Sequence, residues 1–297
     1  MRLAAVDIGS NTVHALVADV VRGRLEDVAH YVEMPELGPH VARTGAIGTR
    51  KRQAIRALVS VLAQARGHGY EHLIAGATEA VRQASDGPAF VQEAGDAIGV
   101  PVHLISGRRE AELSFLGVAS RHAAKREWTM VDLGGASTEV VIGRGRELVR
   151  AATLPLGSGV LSSTYLSDPP RPDERARLRQ AALRELVHAP DGEAERLVAT
   201  GGTASNLPHV LTRHHPPSVL TTADLLTCAA RLDGGRAADV AGAVELPVNR
   251  VKAMRAGIEA LLLFLDWYGL AELRISHQGL RHGMLLSYLE RGDDWWH

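Results

Sequence analysis

The chain has 297 residues, which is enough for two domains of ordinary size. Hydrophobic residues make up 45% of it and the formal net charge is −1, a balance that does not favour a nucleic-acid or membrane-surface binder. A single cysteine, Cys228, excludes an internal disulfide, and no apolar segment is typical of a signal peptide or a membrane span. The sequence therefore predicts a globular, cytoplasmic protein.

Apolar segments in the first half predict three strands and then alternating helices and strands. In chain order they are a strand leading into Asp7, a second strand to about 20, a third at 24–33, a helix at 50–67, a strand at 72–77, a helix at 88–98 and a strand at 102–105. The second half predicts a strand leading into Asp132, strands at 138–143 and 147–155, a helix at 172–187, a strand at 196–199, several helices, a strand at 272–275 and a last helix. This order is typical of a mixed sheet with helices on its faces.

A short pattern repeats between the two halves. When the aspartate of DIGSNT at 7–12 is aligned with that of DLGGAS at 132–137, a glycine and a hydroxyl side chain coincide as well. Both copies read as a hairpin with a narrow turn. We therefore expect a duplicated α/β architecture with domains at 1–124 and 125–283, a last helix at 284–297 that packs back on the first domain, and a ligand cleft between the halves.

Each repeated turn has the chemistry of a phosphate site. Glycines let successive backbone N–H groups point into one concavity, and Ser, Thr and Asn side chains add further donors. A carboxylate would repel a phosphate, so Asp7 and Asp132 indicate a divalent cation, by default Mg²⁺, that links them to the phosphate. The alternative is that each stretch is only a tight hairpin turn, but its occurrence twice in register favours a site.

Three further positions carry candidate chemistry. LVATGGTASNL at 197–207 predicts a strand, a GGT turn and a helix whose first N–H groups face an anion, or else a turn that is merely capped by its threonine. In LISGRREAEL at 104–113 a helix begins near Glu110, which either acts chemically or only complements the helix dipole. Arg82 follows a strand and suits a phosphate clamp, or is an exposed helix arginine.

The motifs together resemble one known family. DIGSNT, AT-x-AVR-x-A-x-x-G, SG-x-x-EA-x-L-x-x-LGV, DLGG-x-STE, GGT and GLR-x-G occur in that order from residue 5 to residue 284. They are similar to the motifs of the exopolyphosphatase and guanosine pentaphosphate phosphohydrolase family, which belongs to the superfamily of actin, heat-shock chaperones and sugar kinases. The resemblance implies an α/β fold of two ribonuclease-H-like domains with the active-site cleft between them.

The same resemblance implies hydrolysis of the terminal phosphoanhydride bond of inorganic polyphosphate, or of the 5′-γ-phosphate of guanosine pentaphosphate, with Mg²⁺. Glu110 matches the glutamate that deprotonates the attacking water, and Glu139 matches a second acidic position that helps to place metal or water. Asp7 and Asp132 match the metal-side carboxylates. The residues that would line the phosphate channel are Gly9, Ser10, Asn11, Thr12, Arg82, Gly134, Gly135, Ala136, Ser137, Gly201, Gly202 and Thr203.

Four positions depart from the family pattern. Ala136 stands where a third glycine is usual, and Arg109 stands where an acid often precedes the catalytic glutamate, which adds positive charge beside the reaction centre. His282 replaces the glutamate of GLREG, and Glu36 replaces a common arginine, which weakens the hold on a long polyanion. Short polyphosphate chains are therefore the expected substrate, and a homodimer that binds neither nucleic acid nor membrane is the expected form.

Two other classes of function stay open in the sequence. An ATP-dependent kinase of the same superfamily would need an acceptor-positioning aspartate, and a non-catalytic nucleotide-binding interaction protein would need partner-binding insertions. Neither feature is evident in the sequence. The segment GDDWWH at 292–297 indicates either a frayed end or a dimer contact.

Overall fold

The computed structural model describes residues 1–211 and 217–297. The strands are β1 (Arg2–Ile8), β2 (Val13–Val21), β3 (Arg24–Glu33), β4 (His72–Ala77), β5 (Val102–Leu104), β6 (Ala124–Leu133), β7 (Thr138–Gly145), β8 (Glu147–Leu154), β9 (Leu197–Thr200), β10 (Val219–Thr221) and β11 (Glu272–Ile275). The helices are α1 (Leu37–Thr44), α2 (Lys51–Arg66), α3 (Glu79–Gln83), α4 (Gly87–Ile98), α5 (Gly107–His122), α6 (Ser158–Tyr165), α7 (Pro172–Leu186), α8 (Gly201–Leu211), α9 (Thr222–Asp233), α10 (Ala237–Val244), α11 (Val248–Trp267) and α12 (Leu280–Arg291).

The chain divides into two compact units. The first unit comprises Met1–Gly117 together with Gln278–His297, and the second comprises Val118–His277. The division falls within α5, and the chain returns to the first unit just before α12. The last helix therefore belongs to the same unit as β1.

The first unit is built on a five-stranded sheet in the order β3-β2-β1-β4-β5. The strands β1, β2 and β3 pair antiparallel, whereas β4 and β5 continue the sheet in parallel with β1. Because strand side chains alternate between faces, β1 contributes to two cores. Ala4, Val6 and Ile8 pack in the cluster that contains residues of α2 and α4, and Leu3 and Ala5 pack in the cluster that contains residues of α5 and α12. This accounts for the nearly continuous apolar sequence of β1.

The second unit repeats this topology. Its six-stranded sheet has the order β10-β11-β9-β6-β7-β8. Read from β8, the first five strands correspond to β3-β2-β1-β4-β5 of the first unit. The strands β8, β7 and β6 pair antiparallel, and β9 and β11 continue the sheet in parallel with β6. The core of this unit is crossed by α11, which is buried almost all round over fifteen of its residues. The predicted duplication of a mixed α/β unit is confirmed.

The predicted elements that flank the repeated turns are present, with ends that differ by one or two residues. The sequence did not predict α1, α3, α6 or β10. These elements have only eight, five, eight and three residues, which is too short for an apolar period to show. None of the helices in the described part of the chain has the length and apolarity needed to span a bilayer.

Candidate active site

The turn between β1 and β2 of the first unit is narrow and buried. The N–H of Gly9 donates to the carbonyl oxygen of Thr12 over 2.9 Å. Ser10, Asn11 and Thr12 are all buried. The carbonyl oxygens of Ser10 and Asn11 accept hydrogen bonds from backbone N–H groups at the start of α1. These two carbonyl oxygens would repel an anion, but both are hydrogen-bonded within the protein, which is consistent with the predicted phosphate-binding turn.

Asp7 lies at the end of β1, opposite His14 on β2, and is buried. Its Oδ2 lies 3.6 Å from Nη1 of Arg281 on α12. Arg281 is the arginine of the GLR-x-G motif, for which the sequence indicated a family resemblance but no role at the site. The predicted metal-side carboxylate of the first unit is therefore also the partner of an arginine.

Glu110 and Arg82 are brought together in the first unit. Glu110 lies in the first turn of α5 and is 7% exposed. Its Oε2 accepts a hydrogen bond from Nη1 of Arg82 on α3 over 2.7 Å. The same Nη1 also donates to the carbonyl oxygen of Ile105, the residue that follows β5. The structure thus places a buried carboxylate in the first turn of a helix, with one of its oxygens held by an arginine.

Arg109 was expected to add positive charge beside the reaction centre, but its side chain binds α12 and the residues that follow this helix. Its guanidinium donates to the hydroxyl of Ser287 on α12 over 2.7 Å, to the carbonyl of Trp295 and to the carboxylate of Glu112. Its charge is therefore bound by the C-terminal segment. Trp295 itself is 2% exposed and packs in the core of the first unit, so the expectation of a frayed end or a dimer contact is wrong for this residue.

The GLR-x-G motif places α12 directly against α5. A Cβ at Gly283 would lie 1.7 Å from the carbonyl oxygen of Leu113, and one at Gly117 would lie 2.2 Å from that of Gly279. Real Cβ contacts are never this short, so only glycines permit the two helix backbones to approach this closely. The motif thus joins the helix that carries Glu110 to the helix that carries Arg281.

His282, a departure from the family pattern, has its own partner. Its Nε2 lies 3.0 Å from Oδ1 of Asp27 on β3, and His30 contacts Oδ2 of the same carboxylate over 2.9 Å. Burial lowers the pKa of His282 although Asp27 acts in the opposite sense. Burial works against ionisation of Asp27, but the hydrogen bonds from His282 and His30 hold its pKa well below the usual range. The exchange of glutamate for histidine is therefore accommodated by a pair between the buried His282 and the partly exposed Asp27.

The repeated turn of the second unit has the same backbone geometry as that of the first. The N–H of Gly134 donates to the carbonyl oxygen of Ser137 over 3.0 Å, the counterpart of the bond from Gly9. The carbonyl oxygens of Gly134 and Gly135 accept hydrogen bonds from N–H groups in the first turn of α6. Ala136 packs closely on Gly157, and a Cβ on Gly157 would lie 2.2 Å from the backbone of Ala136. As in the first unit, the turn is held by carbonyl contacts to a following helix.

The acidic residues of this turn lie on neighbouring strands. Asp132 on β6 and Glu139 on β7 are paired in the antiparallel register. Glu139 is 2% exposed, and its Oε1 accepts a hydrogen bond from the hydroxyl of Ser137 over 2.9 Å. Asp132 is half-buried, which makes it the more accessible carboxylate of the two.

The GGT turn lies beside Arg250, a residue that the sequence motifs did not indicate. Gly201 has φ +92°, and a Cβ there would lie 2.4 Å from the carbonyl oxygen of Leu133, so the position requires glycine. Gly202 faces Arg250, and a Cβ on Gly202 would lie 2.1 Å from Nη1 of that arginine. Thr203 is 1% exposed and packs against Gly257 of α11, so its side chain is turned into the core.

Arg250 is a buried cation at the N-terminal end of α8. It is only 9% exposed, and its side chain makes no hydrogen bond or ion pair within residues 1–211 and 217–297. Burial lowers its pKa. The guanidinium adds positive charge where the first N–H groups of α8 have no intrahelical acceptor. A local signal existed, because an arginine in the first turn of a helix opposes the helix dipole.

No three His, Cys, Asp or Glu side chains converge as a metal cluster in the part of the chain that the structure describes. Mg²⁺ commonly binds through one or two carboxylates, with waters and substrate phosphates as its other ligands. Asp7 in the first unit and Asp132 in the second each offer such a carboxylate beside a turn of small polar residues.

Comparison with known proteins identifies the family. The model of the Ppx/GppA phosphatase family matches residues 16–292. The chain belongs to this family. Ppx/GppA proteins are hydrolases, and the family match therefore also identifies this chain as a hydrolase of phosphoanhydride bonds.

Relatives in the family bear two kinds of name. Exopolyphosphatase 2 of Mycobacterium tuberculosis is 29% identical over 316 residues, which cover 96% of this chain and 98% of the relative. A guanosine-5′-triphosphate,3′-diphosphate pyrophosphatase of Vibrio vulnificus is 24% identical, over 98% of this chain and 60% of the relative.

Solved structures of the family have the same fold. The Aquifex aeolicus member of the Ppx/GppA family superposes with a TM-score of 0.81 at 27% identity and covers 99% of each chain. An exopolyphosphatase from Cytophaga hutchinsonii, at 22% identity, superposes with a TM-score of 0.86 over 98% of each chain and agrees in fold. The two units are therefore the paired actin-like domains of this family.

Proposed function

We propose that this chain is an exopolyphosphatase that removes terminal phosphate from short chains of inorganic polyphosphate. The observation that supports this most directly is the buried Glu110 carboxylate held by Arg82 at the start of α5. Relatives named exopolyphosphatase support the same substrate class.

Glu110 acts as the general base in this proposal. A water oxygen attacks the terminal phosphorus, the bridging P–O bond breaks, and the shortened polyphosphate leaves, while the water proton passes to the Glu110 carboxylate. Because Arg82 holds one oxygen of that carboxylate, the base has a defined orientation. An oriented base contributes more to the rate than a mobile one.

The substrate phosphates are bound by the turns of small residues in this proposal. In the first unit these are the N–H groups and side chains of Gly9 to Thr12. In the second unit they are the N–H groups of Gly134 to Ser137 and of the GGT turn. Arg250 adds a cation beside the GGT turn, where an anion would compensate its buried charge. Arg82 keeps its proposed contact to phosphate through its remaining N–H donor.

Mg²⁺ is the proposed cofactor, with Asp7 and Asp132 as its carboxylate ligands. When bound, it would neutralise phosphate charge that the carboxylates alone would repel. Glu139 would orient a water or metal ligand through its neighbour Asp132. We also propose that the protein is a cytoplasmic homodimer and that it binds neither nucleic acid nor membranes.

Guanosine pentaphosphate is the second candidate substrate. It presents the same terminal phosphoanhydride chemistry, and a relative is named for hydrolysis of a guanosine polyphosphate. Preference for it over polyphosphate would assign the chain to that branch of the family's activity.

The test is phosphate release from short-chain polyphosphate, long-chain polyphosphate and guanosine pentaphosphate, with and without Mg²⁺. Wild type is compared with Glu110→Gln, which keeps the shape and removes the base, and with Glu112→Gln as a matched control on the same helix. We expect Mg²⁺-dependent release that falls about 10²-fold or more in Glu110→Gln and stays within about twofold in Glu112→Gln. Wild type that releases no phosphate from any of the three, or an undiminished Glu110→Gln, would refute the proposal.

A further inference from the structure

Arg82 is held from both sides by carboxylates. Its Nε donates to Oε2 of Glu79 over 3.0 Å, and its Nη2 donates to the same oxygen. On the other side, Nη1 donates to Glu110 and to the carbonyl oxygen of Ile105. Four of the five N–H donors of a guanidinium are thus used, and its plane cannot rotate without loss of several charge-assisted bonds.

Glu79 is itself fixed in place. It occupies the first position of α3, three residues before Arg82, so the two side chains lie on the same side of this short helix. Its second oxygen, Oε1, accepts a hydrogen bond from Nε2 of Gln83 over 2.6 Å. The side chains of Glu79 and Arg82 are 20% and 16% exposed, so water competes little for these contacts.

From these contacts, and on the basis of the proposed function, we infer that Glu79 is a positioning residue for the hydrolysis. It sets the orientation of Arg82, and through Arg82 it sets the position of the Glu110 carboxylate. Burial alone would lower the pKa of Arg82, whereas Glu110 and Glu79 raise it, so the arginine keeps its charge between the two acids.

The charge of Glu79 distinguishes a positioning role from a binding role. A carboxylate near a polyanionic substrate opposes its binding, so removal of that charge leaves KM for tripolyphosphate unchanged or lower. The loss of orientation lowers kcat, because Arg82 no longer holds Glu110 in one geometry, whereas the single N–H donor that Arg82 has left for phosphate contributes little to KM beside the donors of the turns. General damage to the site would instead raise KM as kcat falls.

The experiment compares kcat and KM for tripolyphosphate in wild type, Glu79→Gln and the control Glu112→Gln. The control removes the same charge from a glutamate that pairs with Arg108 and Arg109. We expect kcat of Glu79→Gln to fall about 10-fold or more with no rise in KM, and both constants of the control to stay within about twofold. Circular dichroism and the melting temperature establish that each variant is folded.

The inference is wrong if kcat of Glu79→Gln stays within twofold of wild type, or if KM rises in step with the loss of kcat. Should Glu79→Gln not fold, Glu79→Asp gives the same test, because it keeps the charge but is too short to bind Nε and Nη2 together. Whatever the Glu79 variants show, the proposed function is tested separately, by the activity of wild type and by its loss in Glu110→Gln.

Discussion

Replacement of the buried Arg250 is predicted to increase the free energy of unfolding, whereas most substitutions of buried residues decrease it. Replacement by methionine, which is apolar and of similar length, should stabilise the unliganded protein. The guanidinium is 9% exposed and has no counter-ion within the described residues, so folding carries a desolvation penalty that no contact with those residues offsets. Replacement of a buried ion pair by apolar residues is often stabilising, by about 1–4 kcal/mol, and we expect a similar gain for this buried arginine. In a unit of this size, that corresponds to a rise in melting temperature of roughly 2–15 °C.

Arg255 is a matched control on the same helix. It is 1% exposed, but its guanidinium donates to Asp168 over 2.8 Å and to the carbonyl oxygens of Leu232 and Gly235. Arg255→Met leaves the buried carbonyl oxygen of Leu232 without this donor and breaks the ion pair with Asp168, so it should destabilise by about 1–3 kcal/mol. Two buried arginines, five positions apart in α11, should therefore respond to the same substitution with opposite signs.

The assay is thermal and urea unfolding of wild type, Arg250→Met and Arg255→Met in phosphate-free buffer, and then with added tripolyphosphate. Wild type should gain about 2.7 kcal/mol at a ligand concentration of 100 times Kd, and Arg250→Met should lose most of this gain. Its phosphate release should fall about 10²-fold. If Arg250→Met destabilises the protein as Arg255→Met does, Arg250 is a structural residue and the reasoning is refuted.

Three further predictions concern the first unit. Gly283→Ala should destabilise by about 3 kcal/mol or more in urea unfolding, because its Cβ would meet the Leu113 carbonyl at 1.7 Å; equal stability would show that α12 can move away from α5. Trp295→Ala should destabilise by about 3–5 kcal/mol, whereas the same change at the partly buried Trp296, which packs at the edge of this core, should cost clearly less, and equal losses would show that the burial of Trp295 does not matter. Because burial depresses the pKa of His282 in the folded state, its contribution to stability is present above the ordinary histidine pKa of about 6.5 and is lost as pH falls below it. Wild type should therefore lose more melting temperature between pH 7.5 and pH 5.5 than His282→Gln, and parallel losses would exclude His282 as the cause.

Local patterns in the sequence were enough to identify the repeat, the mixed α/β units and the turns. The bonds from Gly9 to Thr12 and from Gly134 to Ser137 join residues three positions apart, so the closure of each turn depends on its own short sequence, although later residues at α1 and α6 hold its other carbonyl oxygens. The place of Glu110 at the start of a helix is local for the same reason.

Contacts between distant parts of the chain were decided only by the tertiary structure. The pair of His282 and Asp27 joins residues 255 positions apart, and the contact of Arg109 with Trp295 joins residues 186 apart. Arg250 faces Gly202 because α11 packs beside the start of α8. Apolar periodicity predicts which face of an element is buried, but the partner of a polar side chain depends on how the elements pack. The sequence could therefore propose Glu110 as a base, while its orientation by Arg82 and Glu79 required the fold.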